Sequence, residues 1–160
     1  MRNPRPLLAG GGQEQGLRSG TEATAQIAGF AKAVELRQEG LEEKLRHMAE
    51  VKAYAVEKLR AIPDLQIIGD GQAPHVLSVS MAGWPSQNVV TDLGSQGICI
   101  SAGSACHQGK SSQVVAALKL PRRVAAGVIR LSFGPETTFA EIDACAEALR
   151  NHHDRRMPML

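Results

Sequence analysis

Residues 128–145 read VIRLSFGPETTFAEIDAC. Val128, Arg130 and Ser132 alternate with Ile129, Leu131 and Phe133, the period of two expected of a strand with one buried face. Gly134-Pro135 stops the run. Thr138 and Glu141 then stand at the spacing of a capping box, in which each residue's side chain accepts the other's backbone N–H. Ile142, Cys145 and Leu149 follow at helical spacing. A strand thus hands over to an amphipathic helix through one short turn.

Working outward, the same reading recovers the rest of the chain. His75–Met81 alternates, with Leu77, Val79 and Met81 on one face and Ser78 and Ser80 on the other. Leu65–Ile68 predicts a strand before the turn Gly69-Asp70-Gly71, and Ile98–Ile100 a further short one. A helical pattern starts at Thr24 with Ile27, Phe30 and Val34 on one face. It continues through Leu41, Leu45, Met48, Ala55, Leu59 and Ile62, with a bend at Gly40 and an end at Pro63. Ser86 is read as the cap of a short helix carrying Val89, Val90 and Leu93, with Gly97 after its end. Ser111 or Ser112 starts another through Val114, Val115 and Leu118. The tail NHHDRRMPML is polar and is expected to fray. The expected fold class is α+β, a small mixed or antiparallel sheet covered by helices.

The chain of 160 residues suits one domain with a sizeable core. Aromatics are only 3% of it, so that core must be aliphatic. A net charge of +2, with basic and acidic residues interleaved as in ELRQEGLEEKLR, gives no case for nucleic acid. No apolar run approaches the roughly 20 residues that span a bilayer, so no membrane is expected. The start MRNPRPLLAGGG holds no signal-peptide core. Three cysteines without regular spacing do not read as a disulfide framework, which favours a reducing, cytoplasmic setting.

Three stretches carry candidate chemistry. In SAGSACHQGK, residues 101–110, Cys106 lies among small, polar residues, with His107 and Lys110 near enough in sequence to favour a thiolate. It is either a mobile nucleophile or a partly buried loop cysteine. Cys99, between isoleucines, and Cys145, on an apolar helix face, read as core. Cys99, Cys106 and His107 lack the spacing of a zinc motif. Arg130 sits in an apolar strand, and either points to solvent or offers its planar fork to a carboxylate. In GLRSGT, residues 16–21, Arg18, Ser19 and Thr21 offer donors, and Gly20 lets backbone amides approach an anion ahead of a helix. His75, His152 and His153 have no evident partner, and the pair His152-His153 reads as solvated tail.

Taken together, GGGQEQGLRSGT (10–21), SAGSACHQGKSS (101–112) and IRLSFGPETTFAEID (129–143) resemble, in order and separation, the C-terminal part of the cysteine desulfurases. These are pyridoxal-phosphate enzymes of the class V aminotransferase group. The resemblance implies the small C-terminal domain of a fold-type I pyridoxal-phosphate enzyme over residues 24–156. Residues 1–23 would be the segment that joins and completes a large domain, which is itself absent here. Position by position, Cys106 matches the nucleophile that becomes a persulfide, and in some members such a cysteine also approaches an iron–sulfur cluster under assembly. Arg130 matches the arginine that binds the substrate α-carboxylate. Thr21 matches a residue that reaches the cofactor phosphate of the neighbouring subunit.

The implied reaction is L-cysteine to L-alanine plus enzyme-bound persulfide, in a homodimer that hands sulfur to an acceptor or iron–sulfur scaffold protein. The family's Schiff-base lysine follows a histidine upstream of the GGG loop. None of the lysines at 32, 44, 52, 58, 110 and 119 matches it, so this chain is not expected to bind the cofactor covalently or to desulfurate alone. A selenocysteine lyase fragment and a non-catalytic sulfur-carrier or scaffold module are the competing readings. An apolar patch near residues 7–30 and self-association are expected of a domain that belongs against a partner.

Overall fold

The alternating run at 76–81 forms the middle strand of a three-stranded antiparallel sheet in the computed structural model, which describes residues 4–69, 71–102 and 113–155. The strands are β1 (Leu65–Ile67), β2 (Val76–Met81) and β3 (Val128–Ser132), in that spatial order. Leu65 faces Met81 across the first ladder, and Leu77 faces Leu131 across the second. The helices are α1 (Thr24–Gln38), α2 (Leu41–Arg60), α3 (Ser86–Ser95), α4 (Gln113–Ala117), α5 (Arg122–Ala126) and α6 (Phe139–Arg155). The fold is α+β, as the pattern requires.

Two compact units divide the chain, residues 1–41 and 42–160. The second holds the sheet. Met48, Val51, Ala55 and Leu59 recur on one side of α2, and Ile142, Cys145, Ala146 and Leu149 on one side of α6. Together with Leu77, Val79, Met81, Ile129 and Leu131 from the strands, Val89 and Leu93 of α3 and Trp84 just before it, they form one mainly aliphatic core. Tyr54 of α2 meets Phe139 of α6 edge-on at 5.1 Å and donates its hydroxyl to Asp143 at 2.9 Å. The capping box forms as read: the Thr138 N–H donates to Glu141 Oε2 at 2.7 Å, and the Glu141 N–H to Thr138 Oγ1 at 3.3 Å. The Thr138 N–H and the Thr138 hydroxyl, which donates to Glu141 Oε2 at 3.0 Å, together hold the Glu141 carboxyl below its usual range.

α5, absent from the pattern reading, covers the end of β2. Ser80 is fully buried on the sheet's other face and donates its hydroxyl to the Val124 carbonyl at 2.6 Å. The Met81 N–H donates to the Gly127 carbonyl at 3.2 Å, and the Gly83 N–H to the Arg123 carbonyl at 3.1 Å. This approach is so close that a Cβ on Gly127 would lie 2.1 Å from the Met81 oxygen.

In the first unit, a short 3-10 turn spans Gln13–Gly16, and a bridge joins Leu8 to Arg18. No residue of α1 is buried.

Four expectations are corrected. The single helical run from Thr24 is two helices, because the backbone at Gly40 turns left-handed at φ +63° and breaks it. Ser86 is the first helical residue and not a cap; Pro85 holds that position with no side-chain bond. Ile98–Ile100 is not a strand: the Ile98 N–H still caps α3 by donating to the Leu93 carbonyl at 3.0 Å, and pairing begins only at Ser101. His152 is not solvated tail; it is fully buried in α6.

Candidate functional site

Arg130 takes its place from strand parity. Ile129 and Leu131 turn into the core, so Arg130 turns outward, opposite Ser78 in the ladder, and is exposed. Its backbone N–H and carbonyl are both engaged by Ser101. The Arg130 N–H donates to the Ser101 carbonyl at 2.7 Å, and the Ser101 N–H donates back to the Arg130 carbonyl at 3.1 Å. This reciprocal pair is one rung of an antiparallel ladder. It fixes the start of SAGSACHQGK against the strand that carries the arginine. Cys106 itself, five residues further on, lies outside the described residues, as do His107 and Lys110.

Below that rung the two segments part, leaving a groove of about 340 Å³ between Gly97–Ile100, Leu131–Phe133 and the start of α6. Two thiols line it, Cys99 and Cys145. Cys145 is buried as expected, and desolvation pushes its thiol up to about 11; it is protonated and unreactive near neutrality. Cys99 is exposed, which corrects the core reading. Its isoleucine neighbours are the ones that pack on the core, and it points the other way. Among the described residues no group of three or more His, Cys, Asp or Glu side chains could hold a metal.

The GLRSGT loop belongs to the first unit. Arg18 spends its guanidinium on its own loop, with Nη1 donating to the Gly20 carbonyl at 3.1 Å and to the Thr21 carbonyl at 3.0 Å. Ser19 donates its hydroxyl to the Gly11 carbonyl at 3.2 Å. These bonds hold a tight turn in which Gly20 has φ +107°. Of the three side chains read as donors, Thr21 is the one left exposed with no hydroxyl bond among the described residues.

Pattern reasoning missed the polar contact between α3 and α6. His152 Nδ1 lies 2.6 Å from Asp92 Oδ2, with the ring wholly buried. The His153 ring lies against Trp84 at 4.8 Å between centroids, tilted by 35°. The helical spacing Cys145, Leu149, His152 carried the signal, since it puts His152 on the buried face.

No helix of the described residues is long and apolar enough to cross a membrane. The class-V aminotransferase family model matches residues 8–145. A cysteine desulfurase IscS of Clostridium botulinum is 34% identical over 150 residues, covering 89% of this chain and 38% of that protein. Human selenocysteine lyase is 35% identical over 155 residues, covering 91% of this chain and 35% of its own length. The NifS-like protein of Rickettsia africae has a similar structure, with a TM-score of 0.79 at 27% identity over 94% of this chain and 40% of that one. The chain thus spans well under half the length of these relatives. Because the match runs from the loop at Leu8 through the Ser101–Arg130 rung and into α6, the chain belongs to the class-V aminotransferase family.

Proposed function

We propose that this chain is the small-domain portion of a cysteine desulfurase, holding the substrate carboxylate on Arg130 and receiving its sulfur on Cys106. The observation that carries the reading is the Ser101–Arg130 rung. It ties an outward-facing arginine to the segment that leads into the only cysteine set among small polar residues. Only five positions separate Ser101 from Cys106 in the sequence. The arginine's fork suits a bidentate carboxylate contact.

In the reaction the Cys106 thiolate attacks the sulfur of L-cysteine. The carbon–sulfur bond breaks, its electron pair stays with the carbon, and that carbon takes a proton to give L-alanine. Cys106 keeps the sulfur as a persulfide and passes it to an acceptor or iron–sulfur scaffold protein. Pyridoxal phosphate supplies the electron sink in such chemistry. The described residues fit that group at one point, the exposed Thr21 hydroxyl, which suits a phosphate contact across a homodimer. None of the lysines matches the one that anchors it, so no step is assigned to the cofactor on this chain, and desulfuration by the chain alone is not expected.

The test adds pyridoxal phosphate and L-cysteine to the chain and follows cofactor absorption and sulfide release under reductant. No sulfide is expected. Release that disappears in Cys106→Ser would overturn the inactivity. Fusing the chain to the remaining segment of the Clostridium botulinum relative is expected to restore release, with Cys106→Ser abolishing it and Arg130→Ala raising KM. A fusion whose turnover ignores both changes refutes the assignment.

The similarity to human selenocysteine lyase favours one second reading, a selenocysteine-specific lyase. Comparing L-cysteine with L-selenocysteine in the same fusion decides between the two.

A further inference from the structure

Between Asp92 and Glu136 the sequence holds five of the chain's 18 basic residues and none of its 16 acidic ones. The five are Lys110, Lys119, Arg122, Arg123 and Arg130. Within this stretch, Lys119 follows α4, and Arg122 and Arg123 open α5. All three are exposed, and none makes an ion pair or a side-chain hydrogen bond among the described residues. Beside them, Val114 and Leu118 are 71% and 49% exposed. They lie one helical turn apart, with the Leu118 N–H donating to the Val114 carbonyl at 3.2 Å, and so share a side.

We propose that the surface from Val114 to Arg123 docks an acidic protein segment that also carries apolar side chains. Charge complementarity chooses the occupant. Cations without an ion pair among the described residues raise the association rate and select a partner of opposite sign, and Val114 and Leu118 give that partner apolar surface to bury. Two other anionic partners fit less well. No aromatic residue lies between positions 93 and 132, so single-stranded nucleic acid finds no stacking platform. α5 has only five residues and presents no long apolar face to lie in a lipid interface. The inference stands apart from the desulfurase reading, because it concerns binding without substrate or cofactor.

The experiment measures fluorescence anisotropy of a labelled peptide of repeated Glu-Glu-Asp-Leu with the chain, in the absence of pyridoxal phosphate and cysteine. The expected result is binding that weakens as salt shortens the screening length to about 8 Å and below. The double variant Arg122→Glu/Arg123→Glu should lose about tenfold in affinity. The milder Arg122→Gln/Arg123→Gln should lose less, and circular dichroism should show both folded. Arg60→Glu/Arg150→Glu makes the same change in net charge elsewhere on exposed helix positions, and should leave affinity within about twofold. Equal loss in both Glu variants, or tighter binding of anionic vesicles or of a single-stranded oligonucleotide than of the peptide, overturns the proposal.

Discussion

Gly127→Ala tests the packing that seats β3. The added Cβ would sit 2.1 Å from the Met81 carbonyl oxygen, 2.7 Å from its carbon and 3.0 Å from Ser80 Oγ. Its chief neighbour is backbone and cannot swing aside as a side chain can. Relief to an ordinary contact needs about 1 Å of separation between α5 and β2. That motion strains the Met81–Gly127 hydrogen bond at 3.2 Å and the Ser80–Val124 bond at 2.6 Å. Overpacking costs about 1–3 kcal/mol, and each weakened bond about 1 kcal/mol. The expected loss is about 2–5 kcal/mol, a large share of the roughly 5–15 kcal/mol of a typical domain. In a chain of this size it lowers Tm by roughly 5–15 °C. Trp84 is the chain's one tryptophan and is 3% exposed, so its fluorescence in a urea titration reports this unit. An unfolding free energy within about 0.5 kcal/mol of the parent would refute the claim that the glycine is required by this approach.

His152→Ala should cost about 2–4 kcal/mol, since it removes a buried ring and its 2.6 Å contact with Asp92; the same urea titration reads it, and an unchanged midpoint would mean α3 and α6 do not depend on the pair. Cys145 gives an alkaline signature. Its folded thiol is raised to about 11 from an ordinary 9.0, so its contribution is complete below the unfolded value and is lost as pH rises through the folded one. Stability should therefore fall by about 2–3 kcal/mol between roughly pH 9 and 11 relative to Cys145→Ala, and mass mapping of thiol labelling should find Cys145 slower than Cys99; parallel pH profiles would sink this. Ile27 and Phe30 are 53% and 73% exposed on one face of α1, and light scattering after size exclusion should show concentration-dependent association; a clean monomer at high concentration counts against it.

Local signals carried much of the fold. The capping box at Thr138 needs only four residues to be legible, and it forms as written. Arg130 faces outward because Ile129 and Leu131 do not, a parity any strand enforces. At Cys99 composition misled: Ile98 and Ile100 pack on the core, while Cys99 between them is exposed. What was not legible depends on distant partners. Asp92 and His152 are sixty positions apart, and nothing near either residue announces the other. Ser101 meets Arg130 only because α3 and its glycine turn bring the chain back beside β3.

α1 marks the boundary between these two cases. The run from Thr24 forms a helix as read, yet none of its residues is buried, and the exposed Leu36 stands on the side opposite Ile27. Periodicity states which side of a helix prefers to leave water. It does not state which surface will receive it, and that surface need not be encoded within the same stretch of chain. For Arg130 the sequence period and the tertiary ladder agree, so the residue is positioned twice over, by parity and by the Ser101 rung. That redundancy makes the β3 edge, rather than the apolar helix, the firmest footing for assigning chemistry to this chain.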